Sequence, residues 1–126
     1  MTSLSCQPAL PAPLLLVNCA GSQCLLLFTV SDPLGGLTPH RTFPLAHSRL
    51  NLRSTFAPLL SSAAATTVVS AAEDGGVHFF NAKRASSSSI NTLQAHSCPA
   101  IAVAFNHDET YLATSDQSGL LIVWKR

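Results

Sequence analysis

Charge is scarce in this sequence. Asp, Glu, Lys and Arg make up 10% of its 126 residues, against about 25% in an ordinary soluble domain. So thin a charged coat implies that some apolar surface is covered by something outside these residues. The charge that exists is not gathered either. Seven Lys and Arg stand against six Asp and Glu, for a net charge of +1. With no basic block there is no electrostatic case for direct nucleic-acid binding. Long apolar runs are also missing. The longest, 14–17 and 24–30, have strand length, well short of the roughly 18 residues of a membrane span. Residues 1–13 lack the positively charged start of a secretory leader. The reading is a soluble, intracellular chain with no membrane partner. In that setting Cys6, Cys19, Cys24 and Cys98 read as reduced thiols rather than a disulfide framework, although Cys19 and Cys24 are placed to face each other across a hairpin.

Signatures of chemistry are lacking too. There are five histidines, yet none has paired Cys-x-x-Cys or His-x-x-x-His spacing. The nearest ligand groups are His96-Ser97-Cys98 and the Cys19, Cys24 pair. No Gly-x-Ser-x-Gly elbow offers a nucleophile. Gly35-Gly36 and Gly75-Gly76 are isolated pairs, not a phosphate-cradling loop. The acidic residues sit mostly in turn clusters, where turn chemistry accounts for them. We therefore expect no catalytic residue, no metal site and no cofactor.

What remains is a series of short β-rich runs with turn signals between them. Pro8, Pro11 and Pro13 predict an irregular leader over 1–13. Apolar 14–19, a turn at Ala20-Gly21-Ser22-Gln23 and the run 24–30 form a hairpin signal. Residues 31–37 read as a loop and 41–45 as a further strand. Residues 50–57 predict a strand stopped by Pro58, and 61–65 a small-residue linker. Thr and Val over 66–71 predict a strand, Glu73-Asp74-Gly75-Gly76 a tight turn, and 77–81 its partner. A serine-rich connector leads to a short strand at 90–93. The last three strands are predicted at 100–105, 111–115 and 120–124. No segment carries a capped 3.6-residue period, so no helix is expected.

The runs repeat. Ala46-His47 recurs as Ala95-His96, and Phe56 as Phe105, each pair 49 residues apart. Each Phe is followed by a loop, a strand, a Gly-containing turn and a strand closed by an aromatic: Phe80 in one unit, Trp124 in the next. An earlier hairpin closes similarly in Phe28. A strand–turn–strand unit with such a period points to a propeller or a related β array. The tail carries Leu93-Gln94-Ala95-His96, Val103-Ala104-Phe105, Leu112-Ala113-Thr114-Ser115-Asp116 and Leu121-Ile122-Val123-Trp124. This series resembles a WD40 repeat.

The resemblance implies an all-β, partial WD40 propeller of about two and a half four-stranded antiparallel blades, its ring not closed. After the leader, a partial blade is expected at 14–45, a full blade at 46–94 and an incomplete last blade at 95–126. In such repeats a His, a Ser or Thr, an Asp and a Trp form a hydrogen-bonded network. The corresponding residues here are His47, Asp74 and Phe80 in the middle unit and His96, Asp116 and Trp124 in the last. Neither set reads as complete. Phe80 has no indole donor, and Asp116 is displaced because Ser118 holds the usual Asp position. Both units have Ala where the usual Gly precedes the His.

Alternation of strands and loops places 47–49, 73–76, 96–99 and 116–119 at one end, and 58–65, 81–89 and 106–110 at the other. Loops on a rigid scaffold are where partners bind, so the first end is the expected binding face, with Arg49, Arg53 and Glu73 as its charged contacts. The resemblance implies a non-catalytic scaffold for other proteins in the nucleus or cytoplasm. A second reading is a substrate-recruiting adaptor of an enzyme complex such as a ubiquitin ligase. A third is a truncated fragment of a longer protein with no independent function. An isolated copy with incomplete blades is expected to self-associate or to be poorly soluble.

Overall fold

The computed structural model describes residues 1, 3–7, 13–31, 35–59, 66–84, 86 and 89–126. Among them there is no helix, and eleven strands form three antiparallel sheets. The first sheet holds β1 (Ser3–Gln7), β2 (Leu14–Asn18), β3 (Cys24–Ser31) and β4 (Gly36–Pro44). The middle sheet holds β5 (Ser54–Phe56), β6 (Thr67–Ala71), β7 (Gly76–Asn81) and β8 (Asn91–Gln94). The last sheet holds β9 (Ala100–Phe105), β10 (Tyr111–Asp116) and β11 (Leu121–Lys125). Each sheet is a meander in which strands pair with their neighbours in sequence. The sheets do not close into a ring, an arrangement consistent with the partial WD40 propeller that the resemblance implies.

The leader is the main correction. Ser3–Gln7 is a strand, with Leu4 opposite Val17 and Cys6 opposite Leu15, so the first sheet has four strands rather than three. The prolines that suggested irregularity begin only at Pro8, after the strand has ended. Ser3-Leu4-Ser5-Cys6 alternates polar and apolar residues, which is enough once β2 offers a ladder. Two other expected strands change length. The one expected over 50–57 shrinks to Ser54–Phe56, because the backbone before it is bonded elsewhere: the Arg49 and Leu50 amides donate to Glu73 in the turn of the same unit, and the Arg53 amide to Ile101 O of the last sheet. The strand expected at 41–45 begins instead at Gly36. It is the outer edge of its sheet, where Pro39 and Pro44 cost no ladder bond. The linker expected at 61–65 lies outside the described residues.

The sheets stack with the middle one between the other two. All five β6 residues are buried, as a strand covered on both faces requires. Val68 and Phe80 turn to the first sheet and join Leu16, Leu25, Leu27 and Phe43 in one core, where the Phe43 and Phe80 rings stack at 4.8 Å. Val69, Ala71 and Val77 turn the other way and join Val103 and Leu112, with Phe79, Phe105 and Trp124 packed alongside. Loss of a large side chain from either core costs about 2–5 kcal/mol. Among the described residues the last sheet has no fourth strand opposite β8. The space left between the two sheets is a groove of about 410 Å³, walled by Phe79, Leu93, Phe105, Leu112 and Trp124.

Candidate functional site

The loop end is organised from the last sheet. On β10, Leu112, Thr114 and Asp116 point to one side and are buried, the ordinary result of period-two alternation. That side meets His96, which is 7% exposed. Trp124 Nε1 donates to Thr114 Oγ1 at 2.9 Å. Thr114 Oγ1 lies 2.8 Å from His96 Nε2, and His96 Nδ1 lies 2.8 Å from Asp116 Oδ2. An indole only donates and a carboxylate only accepts. The chain is therefore satisfied throughout when Thr114 donates to Nε2 and His96 Nδ1–H donates to Asp116.

The second carboxylate oxygen holds the turn. Asp116 Oδ1 accepts from the Ser118 hydroxyl at 2.6 Å and from the amides of Ser118 and Leu120. The Ser118 hydroxyl first, with His96 and the two amides, lowers the Asp116 pKa to about 2 against the opposing effect of burial. The network thus contains four side chains. Thr114 is the member that sequence reasoning missed, and Asp116 performs the task from its own position, with Ser118 serving it. The signal for Thr114 was present in the two-residue spacing to Leu112 and Asp116.

The middle sheet is wired differently. The structure does not join His47 to Asp74. Asp74 is exposed, accepts from the Gly76 amide at 2.8 Å and pairs with His78 Nε2 at 3.0 Å. Counting back from the closing aromatics, Ser70 matches Thr114 and Ala72 matches Asp116. With Ala at 72, no carboxylate among the described residues hydrogen-bonds to the buried His47. Its Nε2 donates to Leu50 O at 2.7 Å, and its Nδ1 has no hydrogen-bond partner. Ser70 Oγ instead accepts from Asn18 Nδ2 of the first sheet at 3.4 Å, and Asn18 Oδ1 accepts from the Ser54 hydroxyl. Asn18 is a second buried polar residue that the repeat pattern did not flag. Phe80, without an indole donor, contributes only packing.

Adjacent units interlock at this end. His47 O accepts from the amides of Gly21 and Gln23, and Ala72 O from the Ala100 amide, while the Glu73 amide on Ala46 O and the Gln117 amide on Pro99 O tie each loop to the turn of its own unit. Gly75, at φ +82°, brings its Cα so close to the 95–99 loop that a Cβ would lie 2.5 Å from His96 O. Glu73 Oε1 accepts the Arg49 and Leu50 amides, each at 2.8 Å. Burial opposes its ionisation, but the amides of Leu50, Arg49 and Ser48, aided by His47, hold its pKa below the usual value. That oxygen is committed within the fold. Arg49 and Arg53 are exposed. The Arg53 backbone is bonded on both sides, to Ile101 O and from the Ala71 amide, which sets it beside the same turn.

Residues 87–125 match the family model described as WD domain, G-beta repeat. They are a WD40 repeat. This WD40 repeat spans β8 as well as β9, β10 and β11, so it is out of step with the sheets: it supplies the outer strand of the middle sheet and three strands of the last. The covalent repeat therefore links two sheets, and the His96 network sits at the link. Among the described residues no three His, Cys, Asp or Glu side chains gather as a metal site, the four cysteines are free, and no helix is long and apolar enough to cross a membrane.

Proposed function

We propose that the chain is a non-catalytic protein-interaction scaffold that docks partner proteins on its loop end. One observation carries this reading. The loop end is a rigid surface, fixed by the His96–Thr114–Asp116–Trp124 network and by backbone bonds between units, while the guanidinium-bearing side chains of Arg49 and Arg53 stand exposed on it. Rigid loops with exposed arginines suit recognition of acidic protein surfaces. Glu73 supports the surface through the 48–50 backbone. The runs Val69 to Phe80 and Ser115 to Trp124 further resemble the last repeats of WD repeat-containing protein 13, and an upstream reading frame encoding more blades would support that finer assignment.

The test is affinity capture with the intact chain and with an Arg49→Glu/Arg53→Glu double variant, read by quantitative mass spectrometry. Proteins retained by the unmodified chain are expected to be lost from the variant at least tenfold. The same partners retained at the same level by both would remove this face from consideration.

A further inference from the structure

The same cross-strand pair recurs in all three sheets: Leu15 opposite Phe28, Val68 opposite Phe80, and Leu112 opposite Trp124. In the middle sheet this pair rests on the first sheet. In the last sheet it rests on the middle one. In the first sheet, Leu16, Leu25 and Leu27 face the middle sheet, so alternation turns Leu15, Val17, Leu26 and Phe28 to the opposite side, where no sheet covers them among the described residues; Val17 is buried there among its neighbours and the other three are half-buried. Leu4, opposite Val17, is 53% exposed there.

The complementary side shows the converse. Leu16–Leu27 of the first sheet packs on the middle sheet, and Val69–Phe79 of the middle sheet packs on the last. The matching row of the last sheet is Ala104, Ala113 and Val123. It is uncovered, with Val123 61% and Leu121 63% exposed. The chain thus uses one type of sheet-to-sheet joint twice inside itself and carries both halves of a third joint unmated.

We propose that a second copy of this chain covers both faces, the outer side of each last sheet packing on the outer side of the partner's first sheet. Three sheets per copy make a closed ring of six with two copies. Closed propellers typically have four to eight blades; three copies would give nine. The joint is heterologous, and a heterologous joint whose rotation closes makes a finite ring instead of a filament. The interior edges β1, β5 and β9 would line the centre, and the loop ends of both copies would share one rim. The inference rests on the sheet faces and is independent of what the loop end binds, but it competes with the finer assignment to WD repeat-containing protein 13, since blades encoded upstream would cover the same two faces and leave the chain monomeric.

Sedimentation equilibrium on the full chain tests it. The expected mass is twice the 13.2 kDa of one copy. A monomer at all micromolar concentrations, or open polymers of indefinite size, overturns the proposal. Val123→Asp damages one half of the joint and Leu4→Asp the other, both at exposed positions where the sheet itself tolerates a polar side chain. Each variant alone should weaken the dimer at least tenfold while its far-ultraviolet circular dichroism stays unchanged. Mixing the two leaves one intact joint per pair, so the mixture should recover a dimer. A mixture that stays monomeric, or one variant that dimerises as well as the parent, refutes head-to-tail pairing.

Discussion

Thr114→Val is the sharpest perturbation of the network. Valine keeps the branched shape and the strand preference but removes the hydroxyl. Two groups then lose partners at once: the Trp124 indole N–H and His96 Nε2. An unmet buried polar group costs about 1–3 kcal/mol. His96 is buried and falls within that range, whereas Trp124 is half-buried and water can partly replace its acceptor. The sum is roughly 2–3 kcal/mol. With a urea m-value of about 1.5–2 kcal/mol/M, the unfolding midpoint should fall by about 1.5 M. The assay reports on itself, since Trp124 is the sole tryptophan and its emission follows the network directly. Ser115→Ala, on the other side of the same strand, is the control and should stay within about 0.5 kcal/mol. A Thr114→Val midpoint within about 0.3 M of the parent's, a small fraction of the predicted shift, would show that the network does not hold the last sheet.

Two further outcomes follow from the same end of the molecule. The Asp116 carboxyl has a pKa of about 2 against a usual 3.8. A group whose folded pKa is depressed adds stability that is whole above its unfolded value and is lost as pH falls through its folded one. Urea midpoints should therefore drop between about pH 4 and pH 2, and Asp116→Asn should flatten that drop, leaving the part due to Glu73 and Asp108, whose pKa values are also lowered. Gly75→Ala and Gly119→Ala separate steric from backbone strain in thermal melts. Both glycines have positive φ, but a Cβ at Gly119 meets nothing within 4 Å, whereas one at Gly75 strikes the His96 carbonyl. Gly119→Ala should cost about 1–2 kcal/mol, and Gly75→Ala more, through displacement of the 95–99 loop. Equal losses would contradict the close approach.

The architecture was legible because the repeat carries it. His47 and His96, Phe56 and Phe105, and the closing aromatics fix the phase of the meanders, and the turns at 73–76 and 116–119 announce themselves through Asp, Ser and Gly. Ser3–Gln7 was missed because a five-residue strand has little signal of its own and draws its stability from β2. The network was misjudged for a different reason. A fixed count from Asp to Trp assumes one turn geometry, whereas Asp116 reaches His96 from the end of β10 with Ser118 closing the turn behind it. Alternation along β10 was the better guide, since it places Leu112, Thr114 and Asp116 on one side whatever the turn does. The isolation of His47 was harder to foresee, because it follows from the absence of a carboxylate at Ala72, a residue with no chemistry to draw the eye.

The sandwiched position of the middle sheet also sets the order in which the molecule can come apart. In a single copy taken alone, with its two outer faces uncovered, the first and last sheets each give up a single packed face on opening, but β6 cannot be exposed without separating both cores. In a stack coupled only through nearest neighbours, the ends fray before the centre. In the dissociated single copy, amides of β6 and β7 should therefore be the slowest to exchange with deuterium. The 46–50 loop, whose carbonyls bond to turns of two different sheets, acts as the latch between the first local opening and global unfolding.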